Sequence, residues 1–569
     1  MTVGSLLSIG LRWFVPLRPI AFEPGYYDAG LFERAAVALA NHNWLGEFDV
    51  VTLSKGPSYP LFIAAVHRVG IPLQVGTQMV YLLGALSFAI SLWLVLHRLV
   101  PATLTYLLIA FDPLNFGAES AGVMRDNIYA GLSLLFLSSL FITVLLALRR
   151  TRLVWVLPAA VLAGGSGAAF WLCREEGTWI VPSALLVLVG LPLAAFPDRA
   201  RTDSATVPSG RASALRLALV LVVVGATFLA PIGLIGAKNE RVYGVNLTND
   251  LSEGAFPRAY AAWSRVRGVP LTDYVPVNRA QREAVYQVSA AARELRATLE
   301  DPANVWNQQG CPTLGVCGDF AGGWEVWAFR DAALRAGHFD NEVDYQAFFD
   351  TLADEINGAC DSGQLTCAPS LPASIQPLLR ASIVPTLRSA VYWLGQLPVN
   401  ETYYTPLDSR YLFAVPDADR AILQQGIIGV AGTDSQAQAQ LSARESWQWV
   451  YELLGWLFIG LFLVMLTASA LGLALGMWWR KERSRNIPLW ILSSSLAIAI
   501  ATRLILFGVI DTTQYLVDPR YHYPTRLFLL ALAAIGTIHC AQVIRTHILV
   551  RRAGGVVDPD NAPTTASVG

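Results

Sequence analysis

Charge is what this sequence has least of. Asp, Glu, Lys and Arg make up 15% of its 569 residues, against about 25% in soluble domains. Histidine is scarce too, at seven residues, which leaves little material for a histidine-built metal centre. The formal net charge is -1 and no large basic domain is present, so nucleic acid is not an expected partner. No GxxxxGKS/T loop, GxGxxG fingerprint, GxSxG elbow or HExxH helix occurs in a supporting context, so no common nucleotide, hydrolase or zincin signature is present. The first 17 residues hold Arg12 and lack a charged leader before their apolar part, so a cleavable signal peptide is not expected. They read as a short first span, an interfacial helix or the remnant of a span.

What the chain does have is apolar length. Hydrophobic residues make up 54% of it, gathered into runs near the roughly 20 residues that cross a bilayer. Such runs lie at about 74–96, 101–117, 128–148, 153–173, 178–196, 214–237, 449–478, 487–510 and 526–548. They predict an all-α polytopic membrane protein with about nine spans, or ten with the N-terminus. Basic residues at His97 and Arg98, Arg149 to Arg152, Arg199 to Arg216, Arg480 to Arg485 and Arg545 to Arg552 fall in alternate loops. The positive-inside rule assigns that side to the cytoplasm. The division expected is an N-terminal transmembrane module over 1–237 with an outer loop helix within 25–60, an extracytoplasmic insert over 238–446, C-terminal spans over 447–550, and a disordered cytoplasmic tail over 551–569. The location expected is a bacterial inner or plasma membrane, crossed many times.

The insert reads as mostly helical. Residues 279–300 place helix formers and apolar positions at helical spacing, and sustained polar–apolar alternation is nearly absent. Four of the six cysteines lie in it, in CPTLGVC and CDSGQLTC. On the expected outer side these predict the disulfides Cys311–Cys317 and Cys360–Cys367. Other pairings stay open, and a zinc site is the rival reading, disfavoured by spacings wider than CxxC.

Polar residues that could carry chemistry fall on the same expected face. Asp28 precedes AGLFERAAVALANHNW, where Leu31, Ala35, Ala38 and Leu39 recur at helical spacing as in a surface helix. A carboxylate there caps a helix well and is equally a candidate base. Lys55 sits in SKGPSYP, where an ammonium can snorkel or hold a phosphate. Two short links between spans carry dense charge, one with Asp112, Glu119, Arg125 and Asp126, the other with Arg174, Glu175 and Glu176. Such charges are costly unless paired or facing a cavity. DPRYHYPTR adds Asp518, Arg520, Tyr521 and His522 before the last span. Tyr27 and Tyr59 complete the candidate pocket. No cluster demands a metal, so no cofactor is expected; a divalent metal is not indicated.

Taken together these stretches resemble the GT-C class of membrane glycosyltransferases, which includes protein O-mannosyltransferases and the aminoarabinose transferases of lipid A. Asp28 matches an early loop carboxylate, the stretch through Trp44 a surface helix, and Lys55-Gly56-Pro57 a lysine-proline turn, here with glycine interposed. Arg125 with Asp126 resembles a basic–acidic pair opening a span, and Arg520-Tyr521 with Pro524 a motif before a late span. The resemblance implies an inverting enzyme that takes a sugar from a polyprenyl-phosphate carrier and passes it to an envelope glycan, lipid or protein. Asp28 would be the base, and Lys55, Arg125, Arg174 and Arg520 would meet the lipid phosphate. A transporter or flippase of an amphiphile is the alternative, as is a membrane-anchored scaffold for envelope polymer assembly. Internal repeats and mid-membrane charges, which a transporter favours, are not evident.

Overall fold

The computed structural model describes residues 1–15, 17, 28–195, 210–371, 381–405, 448–478 and 487–552. Tyr27 and nearly all of the expected tail lie outside these residues. Among the described residues the regular elements are helical, with two isolated β-bridges, Val266 to Cys367 and Thr272 to Val275.

The N-terminal part runs α1 (Thr2–Trp13), α2 (Asp28–Ala40), α3 (Ser58–Arg68), α4 (Leu73–Leu96), α5 (Leu99–Ala110), α6 (Asp126–Leu148) and α7 (Leu153–Trp171). A broken helix follows, α8 (Val181–Leu185) and α9 (Leu191–Ala195) joined through a π turn, Leu186–Gly190, and then α10 (Gly210–Tyr243). Eight helices among the described residues are long and apolar enough to cross a membrane, and they match eight of the nine expected runs. The run at 101–117 differs. Its helix α5 has 12 residues, about 18 Å of rise against a hydrocarbon core of about 30 Å. Asp112 and Pro113 turn the chain into two short 3-10 helices there.

α6 is the centre of the bundle, buried over most of its length and packed against α4 and α7. Close approach of α4 and α6 depends on small residues, because a Cβ on Gly131 would meet the Tyr81 backbone at 2.8 Å. Hydroxyls within α6 are satisfied locally. Ser139 donates to the Leu135 carbonyl at 2.6 Å and Thr143 to that of Ser139 at 2.7 Å, while Ser138 reaches Ser87 on α4 at 2.8 Å.

The insert contains α11 (Ala255–Ser264), α12 (Arg279–Tyr286), α13 (Ala290–Leu299), α14 (Cys311–Leu314), α15 (Gly322–Arg335), α16 (Glu342–Asp361) and α17 (Ile383–Gln396). Residues 279–300 form two helices rather than one, since Ser289 caps α13 by accepting from the Ala292 amide. An aromatic core holds the insert together, with Trp263 edge-on to Phe329 at 4.9 Å and Phe256 edge-on to Phe349 at 5.0 Å. Both expected disulfides are formed, Cys311–Cys317 and Cys360–Cys367, while Cys173 and Cys540 are buried free thiols.

Three long helices close the fold, α18 (Gln448–Trp478), α19 (Ile487–Thr513) and α20 (Tyr523–Arg552), with α18 packed on α20 and α19 on α17. The links at 112–125, 172–176 and 514–522 meet the insert at one end of the bundle. Ala118 donates to the Thr405 carbonyl there at 2.9 Å, and Gly322 to that of Gln514 at 3.2 Å.

Candidate active site

Asp28 opens α2, where a carboxylate complements the helix dipole. Leu31, Phe32, Ala36 and Leu39 form the buried face of α2, and the expected Ala35 and Ala38 are half-buried beside it. The chain then folds back so that Val51, Leu53 and Ser54 are buried under the insert. Three contacts fasten this loop. Arg330 Nε donates to the Val50 carbonyl at 2.8 Å, the Asp250 amide to that of Leu53 at 2.9 Å, and Asn249 Nδ2 to that of Ser54 at 3.3 Å. Arg330 is itself fixed by a fully buried pair with Asp250 at 2.7 Å.

Lys55 projects from the end of that loop. Its Nζ lies 4.0 Å from Asp28 Oδ1 and 5.6 Å from the centre of the Trp327 ring. The glycine that follows has a steric reason. A Cβ on Gly56 would lie 2.1 Å from the Leu172 carbonyl oxygen, the same oxygen that accepts from the Ser58 amide at 3.2 Å. The lysine turn is thus pressed against the 172–176 link.

That link and the start of α6 exchange partners. Arg125 holds Glu175 through two parallel hydrogen bonds at 2.8 and 2.9 Å, and also donates to the Cys173 carbonyl at 3.0 Å. Arg174 pairs with Asp126 and with Glu176, and its guanidinium lies 4.8 Å from the centre of the Tyr521 ring. Asn249 adds a hydrogen bond to Glu175 at 3.1 Å. The sequence places Arg125 beside Asp126, yet neither is the other's ion-pair partner.

The electrostatics converge on Asp28. Burial pushes its carboxyl up, but Lys55, then Arg125 and Arg520, outweigh burial and hold it below the ordinary aspartate value. Glu175 follows the same pattern: burial raises it, and Arg125 and Lys55 bring it well below the usual range. Asp28, Lys55, Arg125, Glu175 and Arg520 therefore share one field. Among the four cations expected to meet phosphate, Arg125 and Arg174 are committed to close carboxylate pairs. Lys55 at 4.0 Å from Asp28 and Arg520 at 3.8 Å from Asp518 are held more loosely.

The remaining candidates separate. Tyr521 stacks on Phe507 at 5.4 Å and presents its face to Arg174 and Arg520. Tyr59 is fully buried, edge-on to Phe32 at 5.2 Å. His522 is also fully buried, 4.6 Å from Trp393 and 5.4 Å from Phe507 between ring centres. Both side chains are buried among aromatic neighbours. Among the described residues no group of three or more His, Cys, Asp or Glu is arranged to hold a metal.

Sequence reasoning passed over Arg503, Arg526, Asn249 and Trp327. Arg503 is fully buried on α19, donates to the Tyr521 carbonyl at 3.0 and 2.6 Å, and lies 3.8 Å from Glu176. Arg526 on α20 is buried against Asp112 and donates to the Tyr404 hydroxyl at 3.1 Å. A lone arginine inside an apolar run is a usable signal for both. Asn249 and Trp327 carry no comparable sequence signal.

No protein-family model matches the chain, and no curated protein matches it. Among solved structures it is similar to ArnT from Cupriavidus metallidurans in the apo state, with 12% identity, 94% of this chain and 77% of that chain covered, and a TM-score of 0.31. Against the same protein bound to undecaprenyl phosphate the values are 13%, 98%, 81% and 0.31. A TM-score of 0.31 is too slight to place any residue here.

Proposed function

We propose that the chain is a membrane glycosyltransferase that moves a sugar from a polyprenyl-phosphate carrier to a hydroxyl or amine acceptor at the face that bears the insert, with inversion. The carrying observation is Asp28 held ionised beside Lys55, within the field of Arg520 and at the end of the bundle that meets the insert. An ionised carboxylate next to loosely held cations suits a displacement in which one proton is taken up and one phosphate departs.

In this reading the acceptor heteroatom attacks the anomeric carbon from the face opposite the phosphate. The bond from carbon to phosphate oxygen breaks, the acceptor proton passes to a carboxylate oxygen of Asp28, and the negative charge released on polyprenyl phosphate is met by Lys55 and Arg520. Arg125 and Arg174, already neutralised, hold the 172–176 link that backs Lys55. The donor carries its own activation, so a nucleotide loop is not required. The field around the site strengthens as water is excluded, at a desolvation cost that the cross-paired carboxylates reduce.

Lipid and glycan analysis of a deletion strain tests this reading. The expected result is accumulation of a lipid-linked sugar together with loss of one envelope modification, both restored by the native chain and not by Asp28→Asn. Unchanged lipid-linked sugar pools and an intact envelope would overturn it.

A further inference from the structure

A crevice lies at the far end of α3 from Lys55, between the loop after α2, the α3 surface and α10. Its volume is about 360 Å³, at the lower end of the range for ligand sites. Leu39, Leu61, Ala64 and Ala65 form an apolar wall, and two cations, Arg68 and Lys238, stand at the rim. Among the described residues no carboxylate lines it.

The crevice is built rather than incidental. Trp44 Nε1 donates to Asn239 Oδ1 at 2.6 Å, which fixes the indole, and Lys238 Nζ lies 5.9 Å from the ring centre. The Tyr243 hydroxyl lies 2.8 Å from the carbonyl oxygens of both Trp44 and Gly46, tying the loop to α10. Arg68 donates to the Leu39 carbonyl at 2.9 Å, which orients the guanidinium while leaving other N–H groups available. Lys238 belongs to the candidate span Ala214–Tyr243, whose face carries exposed Leu229 and Leu234. Leu234 is one turn before Lys238 on that helix, so the crevice lies near the end of a helix apolar enough to cross a membrane, the depth at which charged lipid headgroups meet basic side chains.

We propose that this crevice binds one anionic phospholipid of the surrounding bilayer, its phosphate between Arg68 and Lys238 and the start of an acyl chain on the wall of Leu39, Leu61 and Ala64. Two rim cations with no acid among the lining residues select a net negative headgroup over a zwitterionic one. The crevice does not include Lys55, and its occupancy does not depend on the transferase reading.

Native mass spectrometry of the full chain, titrated with phosphatidylglycerol and separately with phosphatidylcholine, tests it. The native chain is expected to hold one phosphatidylglycerol about tenfold more tightly than phosphatidylcholine. Arg68→Gln combined with Lys238→Gln should remove that preference. Ala65→Trp, which fills the crevice without changing charge, should lower the affinity for both lipids, and Lys55→Ala should leave binding as it was. Equal binding of the two lipids by the native chain, or unchanged preference in the double variant, overturns the proposal. Loss of phosphatidylglycerol in Lys55→Ala overturns it as well, since the phosphate would then sit beside Lys55. A polyprenyl phosphate that displaces phosphatidylglycerol one for one from the crevice assigns the crevice to the carrier instead and overturns the choice of a bilayer phospholipid.

Discussion

Arg125 and Glu175, 50 residues apart, are joined by two parallel hydrogen bonds, while Arg174 on the same link turns to Asp126, the neighbour of Arg125. The exchange clamps the start of α6 to the link before α8. Removing one partner leaves a buried charge. Glu175→Gln is expected to destabilise the folded chain by about 3 kcal/mol, read as a fall in the thermal unfolding midpoint in detergent. Reversing the pair, Arg125→Glu with Glu175→Arg, should recover part of that loss. No difference between single and reversed variants would show that the pair does not hold the link.

Asp28→Asn should lower transfer by about 10²- to 10⁴-fold with little change in unfolding midpoint, since its partner Lys55 is 4.0 Å away and both side chains are partly exposed. The sign of the pH effect follows from the lowered carboxyl. Its folded value lies below the ordinary 3.8, so the ionised form contributes stability that is present above pH 3.8 and is lost as pH falls through the lowered value. In the proposed reaction the same ionised form takes the acceptor proton. Lys55→Gln removes the largest stabilising charge, so the acid limb of kcat/KM should move to higher pH. An acid limb that stays in place would separate Asp28 from the proton transfer.

Gly56→Ala tests the contact behind Lys55. The added methyl would meet the Leu172 carbonyl at 2.1 Å, and overpacking of this kind costs about 1–3 kcal/mol. The lysine turn must shift, so transfer should fall about tenfold even where the chain still folds. Gly56→Ala with native activity would mean that the position of Lys55 is not critical.

Glu33, one turn and a half after Asp28 on α2, is buried with neither carboxylate oxygen hydrogen-bonded to a described residue, and burial pushes its carboxyl up to about 7. For a raised carboxyl the folded state binds the extra proton, so stability falls as pH rises from the unfolded 4.5 to about 7 and stays low above that. Glu33→Gln should therefore stabilise the chain at pH 8, by up to about 3 kcal/mol, and hardly at all at pH 4.5. Unfolding midpoints measured at the two pH values check this; equal shifts at both would place the effect outside titration.

The spans were legible because length and apolarity set them, and α5 was misjudged because Asp112 and Pro113 stop a helix that composition alone would continue. The disulfides were legible from two short cysteine spacings on the expected outer side. The break at Ser289 was not, since one cap outweighs a run of helix formers. At the site, Asp28 and Lys55 could be picked out by type and place. Their surroundings could not, because the partner of Arg125 is decided by how two distant links pack and not by its neighbour in sequence. Arg503 shows the same limit: its carbonyl partner on Tyr521 belongs to the backbone, which no side-chain pattern reveals.

The grip of Arg503 on the Tyr521 carbonyl also fixes when the proposed site can be completed during synthesis. The proposed site draws on Asp28, Lys55, Arg125, Glu175, Asn249, Trp327 and the 503–521 stretch, so the last of them leaves the ribosome after nearly the whole chain. Until α19 and α20 have entered the bilayer, Glu176 and Tyr521 are not brought together by Arg503. The first residue of the proposed site, Asp28, is thus made long before the arginine that ties its last link in place.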